Sequence, residues 1–198
     1  MRIFAFMKKL TSFERRLWAT SALVVILSYI AAGEGSILSL LASLVGVTAL
    51  IFVARGEVLG QILTILFSLL YAVISYEFQY YGEMITYIGM TAPIAAMSVI
   101  SWIRHPYEKG RGEVKVARMT RWNTILMLVL TAAVTFVFYF ILRYFNTANL
   151  PISTVSIATS FLASYLMLFR SPAYALAYGA NDMIPGSKHI FSVPAVLY

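Results

Sequence analysis

The chain has 198 residues, of which 61% are hydrophobic and only 12% charged, with a net charge of +7 and no cysteine; its mean hydropathy is +0.82. A soluble domain of this size could not bury so much apolar surface, so the composition indicates an integral membrane protein. The lack of cysteine excludes disulfides and thiolate chemistry. The positive charge sits in short gaps between apolar runs, which reads as topology-setting charge rather than affinity for nucleic acid.

Residues 1–16 are basic and lead into an apolar run. They have the flavour of a signal peptide, but no small-residue cleavage site follows cleanly, so they are read as a cytoplasmic tail. Seven apolar runs can be marked: residues 17–32, 37–54, 58–76, 84–103, 122–145, 154–169 and a last one from Ala173. Most approach the roughly 20 residues that a helix needs to cross the hydrocarbon core.

The second run offers Ser36, Ser39, Ser43 and Gly46, and the sixth Ser153, Ser156, Ser160 and Ser164. Small hydroxyl residues at such spacing suit close helix packing. The third run differs. Gln61, Thr64, Ser68, Tyr71 and Ser75 fall at steps of three and four, hence on one face. Gln61 and Tyr71 are too large for a packing seam, so a water- or solute-lined wall is an equal reading. Tyr87, Thr91, Ser98 and Ser101 repeat the pattern more weakly in the fourth run. Between the fourth and fifth runs, residues 104–121 carry six basic side chains. These read as a topology determinant that could also contact anionic lipid.

The last run holds Asn181-Asp182, with Tyr174 and Tyr178 one and two turns earlier. Asp182 lies roughly 15 Å in from Pro172 at helical rise. That is about mid-bilayer, where an acid is costly and usually functional. The run is then broken by Ile184-Pro185-Gly186-Ser187-Lys188-His189.

With the N-terminus inside and alternating helices, the inner side receives Arg2, Lys8, Lys9, Arg15, Arg16, Arg55, the 104–121 loop and Arg170. The outer side receives only Arg143 and Lys188, beside Glu34, Glu77 and Glu83. This asymmetry predicts a multi-pass protein of the cell (inner) membrane with a cytoplasmic N-terminus. No Walker A loop is present, and His105 and His189 do not form a metal cluster. No cofactor or metal is therefore expected. A membrane enzyme acting on lipid or isoprenoid substrates is the rival class, but it lacks paired acids or a histidine at one face.

Several stretches carry a family likeness. They are Val53-Ala54-Arg55-Gly56, Leu69-Leu70-Tyr71-Ala72-Val73-Ile74-Ser75-Tyr76, Tyr81-Gly82-Glu83-Met84, Gly89-Met90-Thr91-Ala92-Pro93 and Trp102-Ile103-Arg104-His105-Pro106. Further on come Phe161-Leu162-Ala163-Ser164-Tyr165 and the segment Ala175 through Asp182. Together they resemble the PnuC family of nicotinamide riboside transporters, over most of residues 36–183.

The resemblance implies an all-α integral membrane fold of about seven transmembrane helices, with two three-helix repeats around a linker helix, as in SWEET sugar transporters. Residues 1–35 would be a tail and extra helix, 36–103 the first unit, 104–121 the basic cytoplasmic loop and 122–145 the linker. Residues 150–198 would be a partial second unit, with Arg55 matching Arg170. After about residue 183 the family pattern stops, so the second repeat is expected to be truncated or frame-shifted.

The implied function is facilitated uptake of nicotinamide riboside for NAD synthesis by a homotrimer in the lipid bilayer. Tyr71, Tyr87 and Tyr178 would stack on the pyridinium. Gln61 and Asn181 would bond the carboxamide or hydroxyls, Asp182 would offset the charge, and Glu83 would attract the cation at the outer mouth. Ser68 and Thr91 line the same faces. The alternatives are a related vitamin or nucleoside as substrate, a membrane enzyme, or an inactive remnant.

Overall fold

The computed structural model describes residues 10–33, 36–107, 113–147 and 149–183, apart from the Asp182 side chain. The described chain is helical: α1 Ser12–Ala32, α2 Ile37–Ala54, α3 Val58–Glu77, α4 Tyr81–Arg104, α5 Arg121–Tyr144, α6 Leu150–Leu168 and α7 Tyr174–Asp182. The first six are long and apolar enough to cross a membrane, by length and composition. The expected all-α membrane architecture is therefore what the chain adopts. The predicted break and truncation after residue 183 lie outside the described residues.

Helix ends extend past the apolar runs where capping chemistry allows. α1 starts at Ser12 because Thr11 accepts from the Glu14 amide while the Glu14 carboxylate accepts from the Thr11 amide, at 2.7 Å. This is a capping box, and it satisfies two amides that a bare helix start would leave open. α6 starts at Leu150, ahead of the predicted 154, with Pro151 in its first turn, where its missing N–H costs nothing.

Four helices end in the same Schellman turn. The amide three residues past the last helical residue reaches five residues back: Glu57 to Phe52, Tyr80 to Ser75, Thr147 to Leu142 and Ser171 to Leu166, all at 2.8–3.0 Å. The residue before each has a left-handed backbone: Gly56 (φ 69°), Gln79 (61°), Asn146 (49°) and Arg170 (60°). Glycine takes this conformation freely, whereas other residues give up roughly 1 kcal/mol. By turn position the pairing differs by one residue from the expected match of Arg55 with Arg170. Arg170 takes the turn position that Gly56 takes after α2, and Phe169 that of Arg55.

The same offset relates a second pair of places. A Cβ at Gly46 would meet the Phe67 ring at 3.1 Å, where α2 and α3 touch. At the equivalent positions of α6 and α7, Ser160 donates to Asn181.

α4 is interrupted. Over Tyr87–Thr91 it widens to a π-turn, in which the Ala92 amide bonds the Tyr87 carbonyl. Pro93 accounts for this, because it has no N–H and its ring crowds the carbonyl of Gly89 four residues earlier.

The main core lies between α4, α5 and α6, where Met90, Ile94, Phe138, Leu142, Phe161 and Tyr165 meet. A smaller cluster of Val53, Trp102 and Met167 joins α2, α4 and α6 at the end that carries Arg55, Arg104 and Arg170. There the last carbonyls of two helices find side-chain donors: Trp102 Nε1 to Met167 at 3.2 Å, Ser101 to Leu168 at 3.1 Å and Tyr174 to Val53 at 3.2 Å. Carbonyls at a helix end have no partner within the helix, so these contacts tie the helices together. α1 lies outermost. It buries only Ala22 and is tied to α2 by a bond from Trp18 Nε1 to Thr48. Leu23, Val24, Leu27 and Ile30 of α1 and Ile125, Val129, Phe136 and Phe140 of α5 are exposed, as suits lipid contact and not water.

Across the basic end runs an extended segment. The Val114 amide bonds the Gly56 carbonyl, Lys115 bonds His105, and Ala117 bonds Arg170. Arg55 sits beneath it between three acids, Glu57 at 2.8 Å, Glu14 at 3.2 Å and Glu113 at 3.6 Å.

Candidate functional site

The polar face of α3 is buried as its spacing predicts. Gln61, Ser68 and Ser75 are at most 2% exposed. Ser68 donates to the Thr64 carbonyl one turn back, and Thr64 to Gly60, so those hydroxyls are satisfied within their own helix. Gln61 is not. Neither its amide oxygen nor its amide nitrogen has a hydrogen-bond partner among the described residues. A buried amide in that condition is costly and calls for a reason.

Further along α3 the face becomes aromatic. The Tyr71 and Tyr87 rings are 4.5 Å apart at 43°, and Phe67 closes the group at 5.6 Å from Tyr71 and 5.9 Å from Tyr87. Tyr87 opens the π-turn, so the extra residue of that turn sets the direction in which its ring leaves α4. Glu83, one turn earlier, is half-buried and has no cation within ion-pair reach among the described residues. It lies within electrostatic range of both tyrosines, and Tyr178 of α7 lies within range of Tyr87. Tyr71, Glu83 and Tyr87 of two helices thus come together, and Tyr178 of a third approaches Tyr87. Thr91 lies at the far end of the π-turn, half-buried.

α7 is held by α6. Tyr178 and Ser164 share a hydrogen bond of 2.9 Å. Asn181 is 3% exposed, and its carbonyl oxygen accepts from Ser156, Thr159 and Ser160. The serine spacing of α6 therefore serves as the seat of α7. Thr159 and Phe67 were not singled out from sequence. The signal for Phe67 was its place four residues before Tyr71, which puts the two rings side by side on one helix. Asp182 ends α7, and its side chain lies outside the described residues. Gln61 and Tyr71 are ten residues apart on one helix, roughly 15 Å along the axis. The expected residues therefore mark a path along the bundle and not one compact pocket.

The family model described as nicotinamide mononucleotide transporter matches residues 36–186. The chain belongs to that family. The matched stretch takes in α2 through α7, hence every residue named above, and leaves α1 outside. A curated relative, a nicotinamide riboside transporter PnuC of Neisseria mucosa, is 25% identical over 136 residues, covering 67% of this chain and 52% of the relative. The chain thus spans about half the length of the curated relative it matches. The crystal structure of the vitamin B3 transporter PnuC is similar with a TM-score of 0.74 and 21% identity, over 90% of this chain and 77% of that one. That likeness establishes the fold. Family membership and the six long apolar helices make the chain a multi-pass membrane protein.

Proposed function

We propose that this protein carries nicotinamide riboside across the cell membrane by facilitated uptake, in the service of NAD synthesis, and is not an enzyme. The reading rests on the family match together with one observation, the paired rings of Tyr71 and Tyr87 beside Glu83, which has no described cation within reach, with Tyr178 near Tyr87. Aromatic faces beside a carboxylate suit a flat cation such as a pyridinium, by ring stacking and charge attraction. Gln61, Thr91, Asn181 and Asp182 would supply hydrogen bonds to its amide and ribose along the path.

Uptake of labelled nicotinamide riboside into liposomes holding the purified protein tests this. Tyr71→Leu and Tyr87→Leu are each expected to lower uptake by roughly tenfold, the worth of one good ring–cation contact out of water. Competition by excess unlabelled riboside, but not by thiamin or riboflavin, is expected. Undiminished uptake in both variants would remove the aromatic cluster from the path, and stronger competition by thiamin would reassign the substrate.

The N-terminus and the basic end are placed in the cytoplasm, in keeping with the positive-inside rule. A reporter fused after Lys109 is expected to read cytoplasm, and one fused near Ala148 the outside. The reverse pattern would invert every side assignment. In the same reading the chain assembles as a homotrimer in the bilayer, with two three-helix units around α5. The shared Schellman register of α2–α3 and α6–α7 supports that repeat.

A further inference from the structure

A cavity of about 440 Å³ opens at the basic end, between the last turns of α4 and α6 and the first turn of α5. It is distinct from the aromatic path, because Glu83 and Tyr87 lie in the first two turns of α4 and Ser101 and His105 at its end. Its polar lining comprises Ser101, His105, Arg118, Asn123 and Arg170, and side chains such as Met97 and Leu168 form an apolar wall.

Arg170 is the unusual member. It occupies a left-handed position where its counterpart in the first unit is glycine, so the site holds an arginine at a conformational cost. It is half-buried, and its Nε is buried with no hydrogen-bond partner among the described residues. Burial lowers its pKa from the ordinary arginine value, as befits a cation short of counter-charge. The described acids at this end, Glu14, Glu57 and Glu113, are all taken by Arg55. His105 directs Nδ1 to the Ser101 carbonyl at 2.8 Å. The cavity therefore offers two guanidinium groups and an amide, no described acid, and a hydrocarbon wall.

We propose that this cavity binds a phosphate group carried on an amphiphile, with Arg170, Arg118 and Asn123 as donors and the Met97–Leu168 wall against the hydrocarbon. In a membrane that chemistry belongs to anionic phospholipid of the leaflet on the basic side. Arginine suits phosphate because its planar fork donates two parallel hydrogen bonds.

The test uses the purified full chain in detergent, titrated separately with phosphatidylglycerol, phosphatidylcholine and inorganic phosphate while thermal unfolding is followed. Phosphatidylglycerol is expected to raise the unfolding temperature and phosphatidylcholine to leave it unchanged. Arg170→Gly is the decisive variant, because glycine accepts the local backbone without strain and the variant folds at least as well. It is expected to lose most of the shift and to weaken apparent affinity by roughly tenfold, with Arg118→Gln weakening it further. A shift from inorganic phosphate that Arg170→Gly abolishes would support the same site with a soluble occupant. An equal shift in wild type and Arg170→Gly, equal effects of the two lipids, or no shift at all would overturn the proposal.

Discussion

Gln61→Leu is expected to make the protein more stable and a worse transporter. The side chain is fully buried, and both of its amide atoms lack a hydrogen-bond partner among the described residues. An unsatisfied buried polar group costs about 1–3 kcal/mol. Leucine has a similar volume and nothing to satisfy, so the exchange removes that cost without opening a cavity. For a domain of this size, each kcal/mol moves the unfolding temperature by roughly 2–4 °C. Uptake of nicotinamide riboside should move the other way, by roughly tenfold or more, because a site built to bond a solute loses discrimination when the bond cannot form. Thermal unfolding in detergent and liposome uptake, measured on the same preparation, separate the two effects. Lower stability with unchanged uptake would make Gln61 a packing residue.

Gly60→Ala is expected to be severely destabilising, although alanine ordinarily strengthens a helix by roughly 0.5–1 kcal/mol over glycine. A Cβ at this position would lie 2.4 Å from the Val53 amide nitrogen and 2.8 Å from the Phe52 carbonyl carbon. Both are backbone atoms of α2, so no side-chain rotation relieves the clash. The α2–α3 turn would have to open, disturbing the Gly56 carbonyl that receives the Val114 amide and the Arg55 cluster beside it. Overpacking of this kind costs about 1–3 kcal/mol and more where only backbone can yield. Gly179→Ala is the control, since a Cβ there meets nothing within 4 Å. It should leave the unfolding temperature unchanged or raise it. Equal behaviour of the two variants would contradict the close approach of α2 and α3.

The spans were legible because membrane insertion is decided by apolar length, a property of consecutive residues. Their ends were less so: α1 gained five residues from a capping box that hydropathy ignores. The buried face of α3 was legible for the same reason as the spans, since its 3–4 spacing is local. The meeting of Tyr71 with Tyr87 was not, because it depends on how α3 crosses α4 and on the π-turn. Pro93 was the visible cause of that turn, but its consequence for the Tyr87 ring appears only in three dimensions. The α6 serines were read as packing residues, and they do pack; what they hold, the Asn181 carbonyl, lies 21 to 25 residues further on. Arg55 and Arg170 looked like twins in sequence. One is surrounded by acids and the other, among the described residues, by none, a difference set by which turn position each occupies.

The extended segment at residues 113–117 has a mechanical consequence. It is stitched to the α2–α3 turn, the residues that follow α4 and the α6–α7 turn by four main-chain hydrogen bonds, one of them from the Tyr107 amide to the Glu113 carbonyl. Those turns belong to different units of the proposed repeat, so parting the units at this end means breaking bonds worth about 0.5–1.5 kcal/mol each. The segment acts as a clasp. A rocking motion that leaves the clasp shut swings about the basic end and produces its largest displacement at the other, around Tyr81 and Glu83. Exit on the basic side would demand that the clasp unfasten, and the stitch to Val114, anchored at Gly56, would be among the bonds to give.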